Sequence, residues 1–245
     1  MIALLAAVPE ETHLIRQSLQ DFAQRSVNGI TLMTGKLDGN DVCLTHSGIG
    51  KAAAAATAIS LLHNCRPKAL WLFGCGGAYL NSGLTVGDLA LADSEIFGDE
   101  GVATAKGFRD LAGMGIPMRQ ASGQFFNTWP VDKKLHDWAQ PLLEEYAQKT
   151  DTTLRSGPFV TVSTCTGTTI KATEIEDRTG GICENMEGAA VALACQQLSV
   201  PLLEVRGISN LVEDRGASRW DLPAGMAAAQ NATLALLHEW PGQGL

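Results

Sequence analysis

At 245 residues, with 45% hydrophobic residues and a net charge of −8, the chain has the length of one large α/β domain and the apolar content to fill one core. The acidic balance argues against a nucleic-acid backbone or an anionic membrane as partner. No run approaches the roughly 20 apolar residues of a membrane helix.

Strand-like and helix-like segments alternate, which points to an α/β fold. Residues 2–8 read as an apolar strand, and 10–24 as a helix through the spacing of Leu14, Ile15, Leu19 and Phe22. Residues 29–37 and 41–46 read as a hairpin around Asp38-Gly39-Asn40. An Ala-rich helix at 51–63 follows Ser47-Gly48-Ile49-Gly50, and the strand at 68–73 runs into Gly74-Cys75-Gly76-Gly77, which reads as a tight turn with φ > 0 or as backbone open to a ligand. A strand at 87–94 precedes a stretch from 95 to about 130 with no sustained period, the pattern of a binding loop or an interface element. Then come a helix at 131–148, a strand at 154–162, a helix at 168–178, a short strand at 181–184, a helix at 187–198, a strand at 201–208 and a closing helix at 223–240. With no repeat or linker, residues 1–245 are expected to form one domain. Met1 to Val8 lacks the basic segment of a secretory leader, so a cytoplasmic location is expected. The six scattered cysteines form no C-x-x-C pair, and all are expected to be reduced, with no metal site.

Three polar side chains fall where the carboxyl ends of strands bind ligands in open α/β sheets. Glu11, after the first strand, is placed to act as general base on water, although an acidic residue behind Pro9 also suits a helix start. Glu187 opens a helix of small residues (Gly188, Ala189, Ala190), and its carboxylate can accept from both hydroxyls of a ribose. Asn210, behind Ile208-Ser209, offers donor and acceptor to a heterocycle, or forms an Asx turn leaving the strand. His46 reads as structural. The first strand–helix turn carries no glycine fingerprint for a dinucleotide, and no cofactor is expected.

In this order, Ala7-Val8-Pro9-Glu10-Glu11, Ser47-Gly48-Ile49-Gly50-Lys51, Gly74-Cys75-Gly76-Gly77, Val162-Ser163-Thr164-Cys165, Met186-Glu187-Gly188-Ala189-Ala190 and Arg206-Gly207-Ile208-Ser209-Asn210 resemble the nucleoside phosphorylase and nucleosidase superfamily in its hydrolytic branch. The resemblance implies a three-layer α/β/α fold with a mixed central sheet. It makes Glu11 the activator of water, Met186 and Glu187 the ribose clamp, and Asn210 the group facing the departing base. Ile49, Cys75, Gly76, Gly77, Thr166, Gly167, Asn185 and Ser209 become further substrate contacts. The pattern departs from methylthioadenosine/S-adenosylhomocysteine nucleosidases, which carry Asp where this chain has Asn210, Glu where it has Asn185, and a base-stacking Phe near Thr166.

An Asn can donate to N7 or to the oxygen of a 6-oxopurine. With Glu184-Asn185-Met186-Glu187-Gly188, the chain resembles the futalosine hydrolase family, which releases hypoxanthine from futalosine in menaquinone biosynthesis. That resemblance implies a receptor for the benzoate carboxylate, with Lys106, Arg109, Arg215 and Arg219 as candidates, and a homodimer or larger homo-oligomer. Glutamates and apolar residues (Val8-Pro9-Glu10-Glu11, Trp71-Leu72-Phe73) stand where related phosphorylases carry cations for phosphate, which favours water as nucleophile. A methylthioadenosine/S-adenosylhomocysteine nucleosidase, a purine nucleoside phosphorylase and a non-catalytic nucleoside sensor are the alternatives.

Overall fold

The computed structural model describes residues 1–120, 123–215 and 220–241. The first strand, β1 (Ile2–Ala6), is buried at all five positions. After a 3-10 turn at Pro9–Thr12, helix α1 (His13–Ser18) is short, and the chain turns into strand β2 (Gln20–Val27) instead of continuing the helix expected to residue 24. Strand β2 is almost wholly exposed and pairs antiparallel with β3 (Ile30–Leu37). Neighbouring backbone therefore outweighed the helical spacing. Strand β4 (Asn40–His46) returns through a two-residue loop in which Asp38 and Gly39 both have positive φ (47° and 77°), the geometry that matches strand twist in a tight hairpin.

Helix α2 (Lys51–Cys65) leads to β5 (Leu70–Ala78), which runs straight through the glycines. Of the two readings open for 74–77, the tight turn does not form; the stretch is extended strand. Gly77 is needed for space, since a Cβ there would lie 2.8 Å from Val212 and 3.0 Å from the Asn210 amide nitrogen. After β6 (Leu89–Phe97) come two small hairpins, β7 (Gly101–Thr104) with β8 (Gly107–Asp110) and β9 (Arg119–Gln120) with β10 (Gln124–Phe125), separated by one helical turn, α3 (Leu111–Met114). Strand β11 (Thr128–Pro130) rejoins β6. The remainder is α4 (Lys133–Thr150), capped by Asp132 (Leu135 N donating, 3.0 Å), then β12 (Leu154–Thr161), α5 (Thr169–Thr179), β13 (Cys183–Asn185), α6 (Gly188–Leu198), β14 (Leu202–Leu211) and α7 (Leu222–His238).

The fold is mixed α/β around a mixed sheet. Parallel pairs β4–β1–β5–β14 form its centre. Strand β14 also pairs antiparallel with β6, β6 pairs with β12, β12 with β13, and β13 antiparallel with β5, so this part of the sheet closes on itself. One face packs under α2 and α6 through small residues such as Ala54, Ala58, Ala189 and Ala192. The other packs under α4 and α7 through Leu4, Trp71, Leu91, Leu143 and Leu236. Among the described residues no helix is long and apolar enough to cross a membrane.

Cys43 on β4 and Cys65 at the end of α2 lie side by side, with Cα atoms 6.8 Å apart, because α2 ends over β4; Cys75, Cys165, Cys183 and Cys195 are free.

Candidate active site

Loops leaving β1 and β4, the glycine stretch of β5, β13 and the end of β14 enclose a cavity of about 340 Å³. Its wall includes Glu11, Ile49, Cys75, Gly76, Gly77, Thr166, Asn185, Met186, Glu187, Ser209 and Asn210. The three side chains separated by nearly 200 residues, Glu11, Glu187 and Asn210, are each no more than 6% exposed. Gly167 is not on this wall; its carbonyl accepts from Arg215 N (3.2 Å).

Glu11 is pinned by backbone. Its Oε2 accepts from Ala7 N (2.9 Å) and Val8 N (3.3 Å), and its Oε1 from Cys75 N (2.9 Å). The Cys75 amide therefore holds a carboxylate instead of facing a ligand. Burial, with Glu11 nearby, pushes the Cys75 thiol up to about 12, so it is no thiolate nucleophile at neutral pH.

Glu187 sits at the N-terminus of α6. Its Oε1 accepts from Gly50 N (3.0 Å), and Gly50 reaches that position with φ of 97°, a conformation that favours glycine. Arg206 Nη1 approaches Glu187 Oε2 at 3.5 Å and donates to Cys75 O at 3.1 Å, while its Nε donates to Glu204 (2.9 Å). Burial works against the Arg206 charge, but Glu204, Glu187 and Glu11 together keep its pKa above the ordinary value. One guanidinium thus ties Glu187 to Glu204 and to the backbone of β5.

Asn185 is on the wall, but its amide is taken up beneath the cavity. Its Oδ1 accepts from the backbone N–H of Glu187 (2.9 Å) and Gly188 (2.7 Å), capping α6, and its Nδ2 donates to Glu95 Oε1 (2.7 Å). Thr161 completes the network, its hydroxyl 2.6 Å from Glu95 and 2.9 Å from Asn185. Burial and the neighbouring Glu204 push the Glu95 carboxyl well above its ordinary range. Asn185 therefore orients Glu187 from below.

Asn210 lies within β14, not in an Asx turn beyond it. Its Oδ1 accepts from Ser209 Oγ (2.8 Å) and its Nδ2 donates to Leu211 O (3.0 Å), which leaves the second N–H of the amide as the group it can offer a ligand. Ser209 thus fixes which end of the amide faces outward. Met186 meets Cys165 (Sγ to Sδ 3.3 Å), and Ile49 stands 64% exposed at the rim.

A match to the model of the phosphorylase superfamily runs from residue 1 to residue 239. The chain belongs to that superfamily. It is 30% identical over 236 residues, 96% of either chain, to a 5'-methylthioadenosine/S-adenosylhomocysteine nucleosidase of Haemophilus influenzae. Among solved structures, it superposes on the nucleosidase of Streptococcus pneumoniae bound to 8-aminoadenine with a TM-score of 0.82, at 26% identity over 98% of this chain and 99% of that one. It superposes on futalosine hydrolase of Helicobacter pylori with a TM-score of 0.81, at 19% identity over 98% and 97% of the two chains. That last likeness is one of fold.

Arg206, Glu184 and Trp220 are wall residues with no role in the sequence reading. Arg206 was quoted in its motif, and its signal is a charged residue inside an otherwise apolar strand, which must be paired when buried. Of the cations proposed for a carboxylate, Lys106 and Arg109 lie on or beside the β7–β8 hairpin, off this wall. Arg215 stacks on Trp220, 4.9 Å from the ring centroid. Arg219 lies outside the described residues.

Proposed function

We propose that this chain hydrolyses the N-glycosidic bond of a purine nucleoside, and that its substrate is a 6-oxopurine nucleoside, futalosine, cleaved to hypoxanthine and dehypoxanthine futalosine. The observation that carries the reading is the convergence of Glu11, Glu187 and Asn210 on one cavity.

Glycosidic cleavage builds positive charge on the sugar, negative charge on the base, and a need for a nucleophile on the opposite face. Glu187 accepts from the ribose hydroxyls and favours the cationic sugar. Glu11, held by three backbone donors, takes the proton of a water. Asn210 gives a hydrogen bond from its outward N–H to N7 or O6 of the leaving base, which departs as an anion and takes its proton from solvent. Three carboxylates (Glu11, Glu184, Glu187) and a single guanidinium already paired with two carboxylates line the described wall, a charge balance that suits water and opposes a phosphate dianion.

The methylthioadenosine/S-adenosylhomocysteine nucleosidase of Haemophilus influenzae, at 30% identity, supports a second reading, hydrolysis of those nucleosides. Futalosine, methylthioadenosine and inosine, each assayed with and without phosphate, separate the two. The proposal expects phosphate-independent release of hypoxanthine; adenine release from methylthioadenosine alone establishes the second reading. The homo-oligomer and the cytoplasmic location belong to the same proposal.

A further inference from the structure

We propose that Glu184 is the residue that selects the base, accepting N1–H of a 6-oxopurine on the side opposite Asn210. This rests on the purine-nucleoside reading of the same cavity.

Gly77 of β5 is paired on one side with Glu184 of β13, across an antiparallel ladder, and on the other with Asn210 of β14, across a parallel one. Paired residues present their side chains on the same face of a sheet. A carboxylate and an amide therefore flank a residue with no side chain, on strands about 9.6 Å apart at two strand spacings. That is room for a flat bicyclic ring with a hydrogen bond at either side. All three residues lie on the cavity wall.

The hydrogen bonds of Glu184 define what it can accept. Its Oε2 receives Tyr79 Oη (2.9 Å) and Thr166 Oγ (2.6 Å), and its Oε1 receives Thr166 N (2.9 Å). Burial raises its pKa, while the Thr166 and Tyr79 bonds favour the ionised form. With every partner donating, the group acts as an acceptor only, and Oε1 retains capacity for one more donor. Asn210 alone does not discriminate, since N7 accepts in hypoxanthine and in adenine alike. At N1 the two bases differ: a 6-oxopurine carries a hydrogen, and a 6-aminopurine carries a lone pair that an acceptor-only carboxylate repels. The residue facing N1 therefore decides the substrate class.

The test compares kcat/KM on inosine and adenosine for the wild type and Glu184→Gln, whose amide can donate to a ring lone pair. The wild type should prefer inosine, and the substitution should shift the ratio toward adenosine by about tenfold to a hundredfold. Calorimetry of the wild type with hypoxanthine, adenine and 1-methylhypoxanthine gives a second readout that needs no variant. Hypoxanthine should bind at least about tenfold tighter than either of the others. An unchanged substrate ratio in a folded Glu184→Gln protein, or equal binding of hypoxanthine and 1-methylhypoxanthine, overturns the assignment while leaving the hydrolase reading intact. A wild type that cleaves adenosine-type substrates and leaves inosine and futalosine untouched removes the 6-oxopurine reading itself, and this inference with it.

Discussion

The two faces of the sheet differ in how much small and charged material they carry. Under α4 and α7 lies a dry layer of leucines with three tryptophans in tilted or edge-on contact, Trp71, Trp138 and Trp240, whose ring centroids are 5.1–5.8 Å apart. Under α2 and α6 many alanines, among them Ala54, Ala58, Ala189 and Ala192, are mixed with larger residues such as Leu61, Leu72, Phe159 and Trp129, and Glu95, Glu204, Arg206, Asn185 and Thr161 interlock beneath the cavity. The difference teaches where stability and chemistry reside. Large apolar side chains supply burial on one side, while small residues let helix α6 come close enough for its N-terminus to rest on charged groups on the other. Fixed charges cost desolvation, and the dry face is what lets the fold carry that cost.

Substitutions on the two faces should therefore separate activity from stability. The largest effect expected is Glu11→Gln, which should lower turnover by about a hundredfold to ten-thousandfold with little change in melting temperature; steady-state kinetics beside thermal unfolding check both halves. Near-normal turnover would remove Glu11 from the chemistry. On the other face, Trp71→Ala should cost about 3–5 kcal/mol in urea unfolding while leaving kcat near the wild-type value at low temperature. A large loss of kcat in the folded variant would mean that the faces are not separable. Gly188→Ala places a methyl against the Glu95 and Glu204 carboxylates. It should cost about 1–3 kcal/mol and also lower turnover, because α6 carries Glu187 at its start.

The smallest effect is one of pH. The Glu95 carboxyl has a raised pKa in the fold, so its favourable contribution is full below its ordinary value of 4.5 and declines as pH rises toward the folded value. Glu95→Gln removes that group, so the stability difference, wild type minus variant, should fall as pH increases above 4.5. A flat difference would show that Glu95 is not held protonated.

Local pattern revealed much of this molecule. The Asp38-Gly39 hairpin, the Ala-rich helices and the apolar strands β1, β5 and β14 follow from turn chemistry and periodicity, and Glu11, Glu187 and Asn210 were visible as polar residues at strand ends. Residues 19–24 were misread because Leu19 and Phe22 fit a helical spacing, whereas pairing with β3 made that segment a strand. The glycines at 74–77 left two readings open for a related reason. Glycine signals either a turn or close approach, and only the positions of Val212 and Asn210 tell which. The role of Asn185 was equally hidden, since its partner Glu95 is 90 residues away in the chain.

By itself, the sequence determined the alternation of elements, the apolar core and the placement of carboxylates and an amide at strand ends, because these depend on spacing along a single segment. Only the tertiary structure decided that β13 and β14 flank Gly77, that Arg206 joins Glu187 to Glu204, and that Cys43 meets Cys65. Each of those depends on which strand lies beside which, and sheet closure fixes that through contacts between residues far apart in the chain.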